Sequence, residues 1–254
     1  MNFPMTTSLQ DKDRSLLGSL TRAARRSFQK ATLAANLIRR VGLIEAWSLA
    51  RDSKSQINQD LFALSELGAI RGGFFVEFGA TNGVDRSNTW LLEKRLGWKG
   101  ILAEPARCWH LDLARNRSSL VEHRCVWKET GEKLTFSEVA DPELSTLASF
   151  SDDDFHGQSR KSYTKYEVET VSLAELLRTH RAPEFIDFLS IDTEGSELEI
   201  LAAFDFTKHR FKVIVCEHNY APIREHIYGL ITSKGYVRKY PDLSRFDDWY
   251  VWQD

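Results

Sequence analysis

Short apolar runs alternate along this chain with longer segments in which apolar residues recur three and four apart. The runs at 74–78, 101–104, 120–127, 185–191 and 211–216 read as buried strands, the last broken only by Lys212. Between them, 86–95, 106–116, 173–180, 195–204 and a segment opened by Pro222 and ended at Gly235 read as helices, with Ser172 capping the third. A further helix is predicted from Ser55 toward Gly68, and Gly72-Gly73 breaks the chain before the first strand. Runs 133–139 and 166–171 also read as strands, and 236–240 and 249–252 follow one another with no helix between. The alternation predicts an α/β fold, a mostly parallel sheet with helices on both faces and an antiparallel C-terminal hairpin at one edge. The polar segment 141–165 reads as a long irregular loop of the kind that forms a lid or substrate loop.

The end of the first strand carries the chemistry. Glu77-Phe78-Gly79-Ala80-Thr81-Asn82-Gly83 places an acid and a glycine turn where an apolar run hands over to a helix. An acid there repels the pyrophosphate of a dinucleotide. It suits S-adenosylmethionine (SAM), whose amino acid end carries an ammonium beside a sulfonium. Glu104 closes the second strand about 20 residues after the glycine turn, the place from which an acid accepts ribose hydroxyls in nucleotide-binding α/β folds. An NAD-dependent oxidoreductase needs Gly-x-Gly-x-x-Gly, which this turn lacks.

Composition narrows the setting. With 254 residues, 42% hydrophobic and 28% charged, the chain is sized for one globular domain plus an appendage. A net charge of −2 gives no field for nucleic acid, and no nucleic-acid partner is expected. Cys108, Cys125 and Cys216 form neither a C-x-x-C pair nor a zinc spacing and read as reduced thiols. No apolar run approaches the roughly 18 residues that span a bilayer, so the expectation is a cytoplasmic protein. Residues 1–52 read as a basic helical extension ahead of a domain at 53–254. From Arg14 to Arg40 it carries Arg22, Arg25, Arg26, Lys30 and Arg39 and no acid, while Leu16, Leu17, Leu20, Ala24, Phe28, Ala31, Ala35 and Ile38 keep a helical period. Such a helix packs on its own domain, on a second subunit in a homodimer, or peripherally on an anionic membrane through 14–40.

Several blocks together resemble the FkbM-type family of SAM-dependent methyltransferases. They are Ser55-Gln56-x-x-Gln59-Asp60, Phe75-Val76-Glu77-Phe78-Gly79-Ala80-x-x-Gly83, Ser87-Asn88-Thr89, Gly97-Trp98-x-Gly100-Ile101-x-x-Glu104-Pro105, Phe188-Leu189-Ser190-Ile191-Asp192-x-Glu194-Gly195-x-Glu197, and Gly235-Tyr236. The resemblance covers 55–254 and implies the Rossmann-like sheet of a class I SAM methyltransferase, acting on a hydroxyl of a sugar, glycolipid or natural product. The implied cofactor-binding residues are Glu77, Gly79, Ala80, Gly83, Asn88, Glu104 and Asp192. The segment Cys125-Val126-Trp127-Lys128 departs from the small residues expected after the third strand.

Ligands of open α/β sheets lie across the carboxyl ends of the strands. Asp192 ends the fourth main strand, and Glu217-His218-Asn219 ends the fifth. Asp192, His218 and Glu217 are therefore the candidate catalytic groups, with Asp192 or His218 as general base. Alternatively Asp192, Glu217 and Asn219 offer oxygen ligands to Mg²⁺, an arrangement similar to the catechol O-methyltransferase class. Glu194 and Glu197 also read as acids stabilising a helix N-terminus. The competing function is an inactive binding domain attached to a membrane or partner.

Overall fold

The computed structural model describes residues 9–139, 145–147 and 163–253, with side chains from Ala24 onward except that of Tyr163. Most of the loop expected at 141–165 lies outside the described residues. The helices are α1 (Leu9–Val41), α2 (Leu43–Asp52), α3 (Gln59–Leu67), α4 (Trp90–Leu96), α5 (His110–Asn116), α6 (Leu173–Thr179), α7 (Glu197–Ala202) and α8 (Arg224–Ser233). The strands are β1 (Phe74–Phe78), β2 (Lys99–Ala103), β3 (Leu120–Glu122), β4 (Cys125–Trp127), β5 (Lys133–Val139), β6 (Thr146–Leu147), β7 (Tyr163–Ser172), β8 (Phe185–Ile191), β9 (Arg210–Glu217), β10 (Tyr236–Lys239) and β11 (Asp247–Trp252).

Seven strands form the main sheet in the order β10-β11-β9-β8-β1-β2-β3. β9, β8, β1, β2 and β3 are parallel, and β11 runs antiparallel to both β9 and β10. The order reverses between β1 and β8, which opens a crevice at their carboxyl ends. This is the expected α/β fold, a mostly parallel Rossmann-like sheet with helices on both faces. The terminal pair is more than an edge hairpin, because β11 inserts between β9 and β10.

Each face of the sheet carries its own core. β1 sends Val76 and Phe78 to one side, where Leu176 of α6, Leu201 of α7 and Ile231 of α8 pack. It sends Phe75 to the other, with Phe62 of α3, Leu92 of α4 and Leu113 of α5. Leu33 and Leu37 of α1 and Ala46 and Leu49 of α2 join that second core. The Gln29 amide donates to Asp242 at 3.3 Å, and the Asn36 amide to the Tyr240 hydroxyl at 3.2 Å. Packing therefore continues across residue 52, the expected end of the extension.

The single strand expected at 120–127 is two. Glu122 ends β3 by accepting the backbone N–H of Arg124 and two guanidinium N–H groups from it. The chain then leaves the main sheet as β4 and pairs with β7 in a second sheet, ordered β4-β7-β5-β6. That sheet covers a third core of Ala106, Cys125, Trp127, Phe136, Leu147 and Val168. β11 also begins two residues before its apolar run. Asp247 and Asp248 tolerate burial there because Gln59 donates to the first, and Arg224 and Arg238 pair with the second.

Candidate active site

A cavity of about 390 Å³ opens where the strand order reverses, a volume suited to a small-molecule ligand. Its walls are Glu77, Phe78 and Gly79 from β1 and its turn, Ala103 and Glu104 from β2, Ser190 to Asp192 from β8, and Val215 and Glu217 from β9. Cys125, Val126, Phe136 and Leu147 add an apolar side from the second sheet.

The β1 turn is held by its own chain. Glu77 is buried and accepts the Asn88 backbone N–H at 2.6 Å, the Thr89 hydroxyl at 2.5 Å and the Ser87 hydroxyl at 3.1 and 3.2 Å. The Arg117 guanidinium stands 3.6 Å away. Gly79 has φ +70°, and a Cβ there would collide with the Asp192 carbonyl, so this glycine lets β1 approach β8. Gly83, also at positive φ, makes room on its other side. A Cβ would meet Arg117 Cγ at 2.6 Å and Leu113 Cδ1 at 2.7 Å. Gly83 and Ala80 do not line the cavity.

Glu104 is buried, with one oxygen on the Thr81 N–H and the other on the Ala106 N–H, both at 2.8 Å. Burial pushes its carboxyl up to about 7 against those two donors. Asn88 gives its amide N–H to Ser190 at 3.0 Å and keeps Oδ1 buried with no partner.

Asp192, Glu194 and Glu217 come together, with carboxylate oxygens within 4.8 Å of one another. Asp192 opens on the cavity but sits deep among protein atoms, and that burial pushes its carboxyl up to about 6. It hydrogen-bonds Glu217, while the charges of Glu197 and Glu77 add to the rise. Glu217 is held well above the usual carboxylate range by burial and then by Asp192 and Glu194. The Asn219 amide donates to Glu194 at 3.3 Å, which places it beside this cluster on the cavity wall.

His218 is not among the cavity-lining residues. Its Nδ1 accepts the Tyr220 N–H at 3.0 Å, and Nε2 lies 3.9 Å from Asp248. Burial holds the ring down at about 4, neutral at physiological pH.

Three contributors were not legible as site residues. Arg117 is fully buried, pairs with Glu77 and Glu93, and also donates to Gly83, Ser87 and Thr89. Asp247 lines the cavity and accepts the Gln59 amide at 2.8 Å. Gln59 was marked only by the Ser55-x-x-x-Gln59 block, in which Ser55 Oγ accepts the Gln59 N–H at 2.7 Å. Thr81, Arg86, Glu194, Asn219 and Tyr220 all line the cavity at positive φ without being glycine. Each costs about 1–3 kcal/mol, and such strain gathers at functional sites.

The family model for the methyltransferase FkbM domain matches residues 77–238. The chain belongs to the FkbM methyltransferase family. This FkbM methyltransferase is accordingly an enzyme of methyl transfer, and the family implies SAM as the donor. Among curated proteins none matches it. Among solved structures it is similar to a precorrin-6y C5,15-methyltransferase from Geobacter metallireducens GS-15, at 11% identity and a TM-score of 0.41, over 77% of this chain and 87% of that one.

The buried acids of the FkbM domain set its pH response. Asp60 and Glu104 are raised to about 7 and Asp247 to about 8, each first by burial. In the folded state they keep protons that the unfolded chain has released, so stability falls as pH rises through the window from about 4 to 8. His218 opposes this only below its unfolded value near 6.5, because the folded ring resists the proton. Thermal melting of the ligand-free protein is therefore expected at a lower temperature at pH 8.5 than at pH 6.5. Asp247→Asn flattens that difference. A melting temperature that rises between those two pH values contradicts the assignment.

Proposed function

We propose that this enzyme transfers the methyl group of SAM to a hydroxyl of a sugar, glycolipid or natural-product acceptor. The carrying observation is the carboxylate cluster of Asp192, Glu194 and Glu217, with oxygens within 4.8 Å of one another on the cavity wall at the carboxyl ends of β8 and β9. SAM fits the residues present. The orphaned Asn88 Oδ1 accepts from the ammonium, Glu104 has lone pairs left for the ribose hydroxyls, and Val126, Phe136 and Leu147 offer an apolar wall to the adenine. Glu77, already fully engaged, acts by fixing the turn.

The acceptor oxygen attacks the methyl carbon in line with the sulfonium, the C–S bond breaks, and sulfur keeps the electron pair. The hydroxyl proton passes to Asp192, whose elevated pKa near 6 suits a base at neutral pH. Arg86 contributes a positive charge that partly offsets this elevation. Tyr220, exposed at the cavity, is positioned to meet the acceptor.

The three-carboxylate cluster favours a second form of the same reaction. Asp192, Glu194 and Glu217 are hard oxygen donors of the kind Mg²⁺ takes. A bound Mg²⁺ would supply a positive charge that lowers the pKa of the acceptor hydroxyl.

Titration calorimetry tests the cofactor site. SAM is expected to bind and NAD is not. Glu104→Gln is expected to weaken SAM by about 1–3 kcal/mol, since a charged acceptor for two hydroxyls is lost. Unchanged affinity rejects the ribose assignment. The acceptor class is tested by mass spectrometry of sugars, lipids and small molecules from cells with and without the gene. An oxygen-bound methyl that depends on the chain supports the proposal, and a methyl on nitrogen or carbon overturns it.

A further inference from the structure

The apolar stripe that the sequence of α1 encodes is not the stripe that packs on the domain. Ala24, Phe28, Ala31, Ala35 and Ile38 lie within about 80° of one another around the helix. All five are exposed, Phe28 at 74%. The residues of α1 that enter the core, Leu33 and Leu37, point the opposite way. At Gly42, with φ +82°, the chain turns into α2, which repeats the arrangement. Ala46 and Leu49 are buried there, whereas Leu43, Ile44 and Trp47 stand out at 67%, 85% and 63% exposure. Folding therefore leaves a continuous pair of helices with large apolar side chains turned to solvent.

The charge around these side chains selects the occupant. Arg39 is exposed beside the stripe on α1, Arg25 is exposed on the helix flank next to it, and the Arg51 guanidinium sits 5.1 Å over the Trp47 ring. The sequence has no acid between Arg14 and Ile44. The first acids beyond it, Glu45 and Asp52, are paired with Arg95. Two copies laid together along Arg14 to Ile44 would set like charges against each other over a stretch that holds no acid. An anionic bilayer surface matches both halves of the pattern. Apolar side chains enter the boundary between headgroups and acyl chains, a tryptophan sits at that boundary, and arginines meet phosphates. Among the described residues no helix is long and apolar enough to cross a membrane.

We propose that the solvent-facing side of α1 and α2, carried by Phe28, Ile38, Leu43, Ile44 and Trp47 with Arg25, Arg39 and Arg51, docks this protein on an anionic lipid surface. Docking lies in the plane of the membrane and is independent of the methyl-transfer reading.

Co-sedimentation of the full chain with vesicles tests it. The protein is expected to sediment with phosphatidylcholine vesicles containing phosphatidylserine, much less with phosphatidylcholine alone, and progressively less as salt rises. The triple substitution Phe28→Ser, Ile44→Ser and Trp47→Ser removes exposed side chains only, so its thermal melt is expected to match the parent. Its vesicle affinity is expected to fall about tenfold or more. Arg25→Gln with Arg39→Gln is expected to weaken binding and flatten its salt dependence. No preference for anionic vesicles, or a correctly folded triple variant that binds as the parent does, overturns the proposal. So does a dimer in light scattering that the triple variant abolishes, since the occupant is then a second copy.

Discussion

Asp192→Asn is expected to leave SAM bound and to lower turnover by about 10²–10⁴-fold, the usual loss when a general base is removed. The substitution keeps the shape of the side chain and its contact with Glu217 but removes the proton acceptor. Activity of the unsubstituted enzyme should rise with pH through about 6, where the Asp192 carboxyl releases its proton. Chelation separates the two forms of the reaction. With Asp192 as base, EDTA has no effect. With Mg²⁺ held by Asp192, Glu194 and Glu217, EDTA abolishes turnover, added Mg²⁺ restores it, and Glu194→Gln and Glu217→Gln both mimic the loss. Near-full activity of Asp192→Asn on an identified acceptor rejects both forms. His218→Gln serves as the contrast. The ring does not line the cavity, so the acid limb of the pH–rate profile should not move.

The second large effect concerns the structure that supports the turn. Arg117 has no exposed side-chain surface and stands between Glu77 at 3.6 Å and Glu93 at 3.0 Å. Burial pushes Glu93 up, but the Ser119 hydroxyl, the Ser118 N–H and Arg117 outweigh it and hold the carboxyl at about 2. Arg117→Met leaves two buried carboxylates facing one another's fields without a cation and is expected to cost about 3–5 kcal/mol of stability. The readout is the midpoint of urea unfolding, with the slope checked for two-state behaviour. Arg117→Met with Glu93→Gln should recover part of the loss, because one orphaned charge is gone. Arg117→Lys should not restore the parent, since a point charge cannot serve Gly83, Ser87, Thr89 and Glu93 at once. A single substitution with an unchanged midpoint would mean that the turn is held by Glu77 and its hydroxyl donors alone.

Sequence by itself determined the sheet and the position of its crevice. Parallel strands buried on both faces leave continuous apolar runs, and acids at the ends of such runs stand out against them. Phe74–Phe78 with Glu77 and Phe185–Ile191 with Asp192 were legible for that reason. The Glu-x-Gly turn and Glu104 followed from spacing along a βαβ unit, which is a local constraint. β4, by contrast, left the main sheet, because its partner β7 lies more than 30 residues away and no pattern within 120–127 names it. β11 started at Asp247 rather than in its apolar run, because Gln59, Arg224 and Arg238 satisfy two buried acids from distant segments.

The roles of the acids were decided only in three dimensions. Glu77 looked open to a ligand, but Ser87, Asn88, Thr89 and Arg117 converge on it when the helix after the turn folds back. His218 sits between two cavity-lining residues in sequence, yet successive side chains leave the end of a strand on opposite sides, and it faces Asp248 instead. The amphipathic stripe of α1 was visible as a period. Which side of the helix meets the protein was settled by Leu33 and Leu37 against α3, a match of surfaces that no period along one helix contains. A strand's burial and a turn's chemistry are written locally. The partner of a buried charge is a fact of packing, and packing brings together residues that the sequence keeps apart.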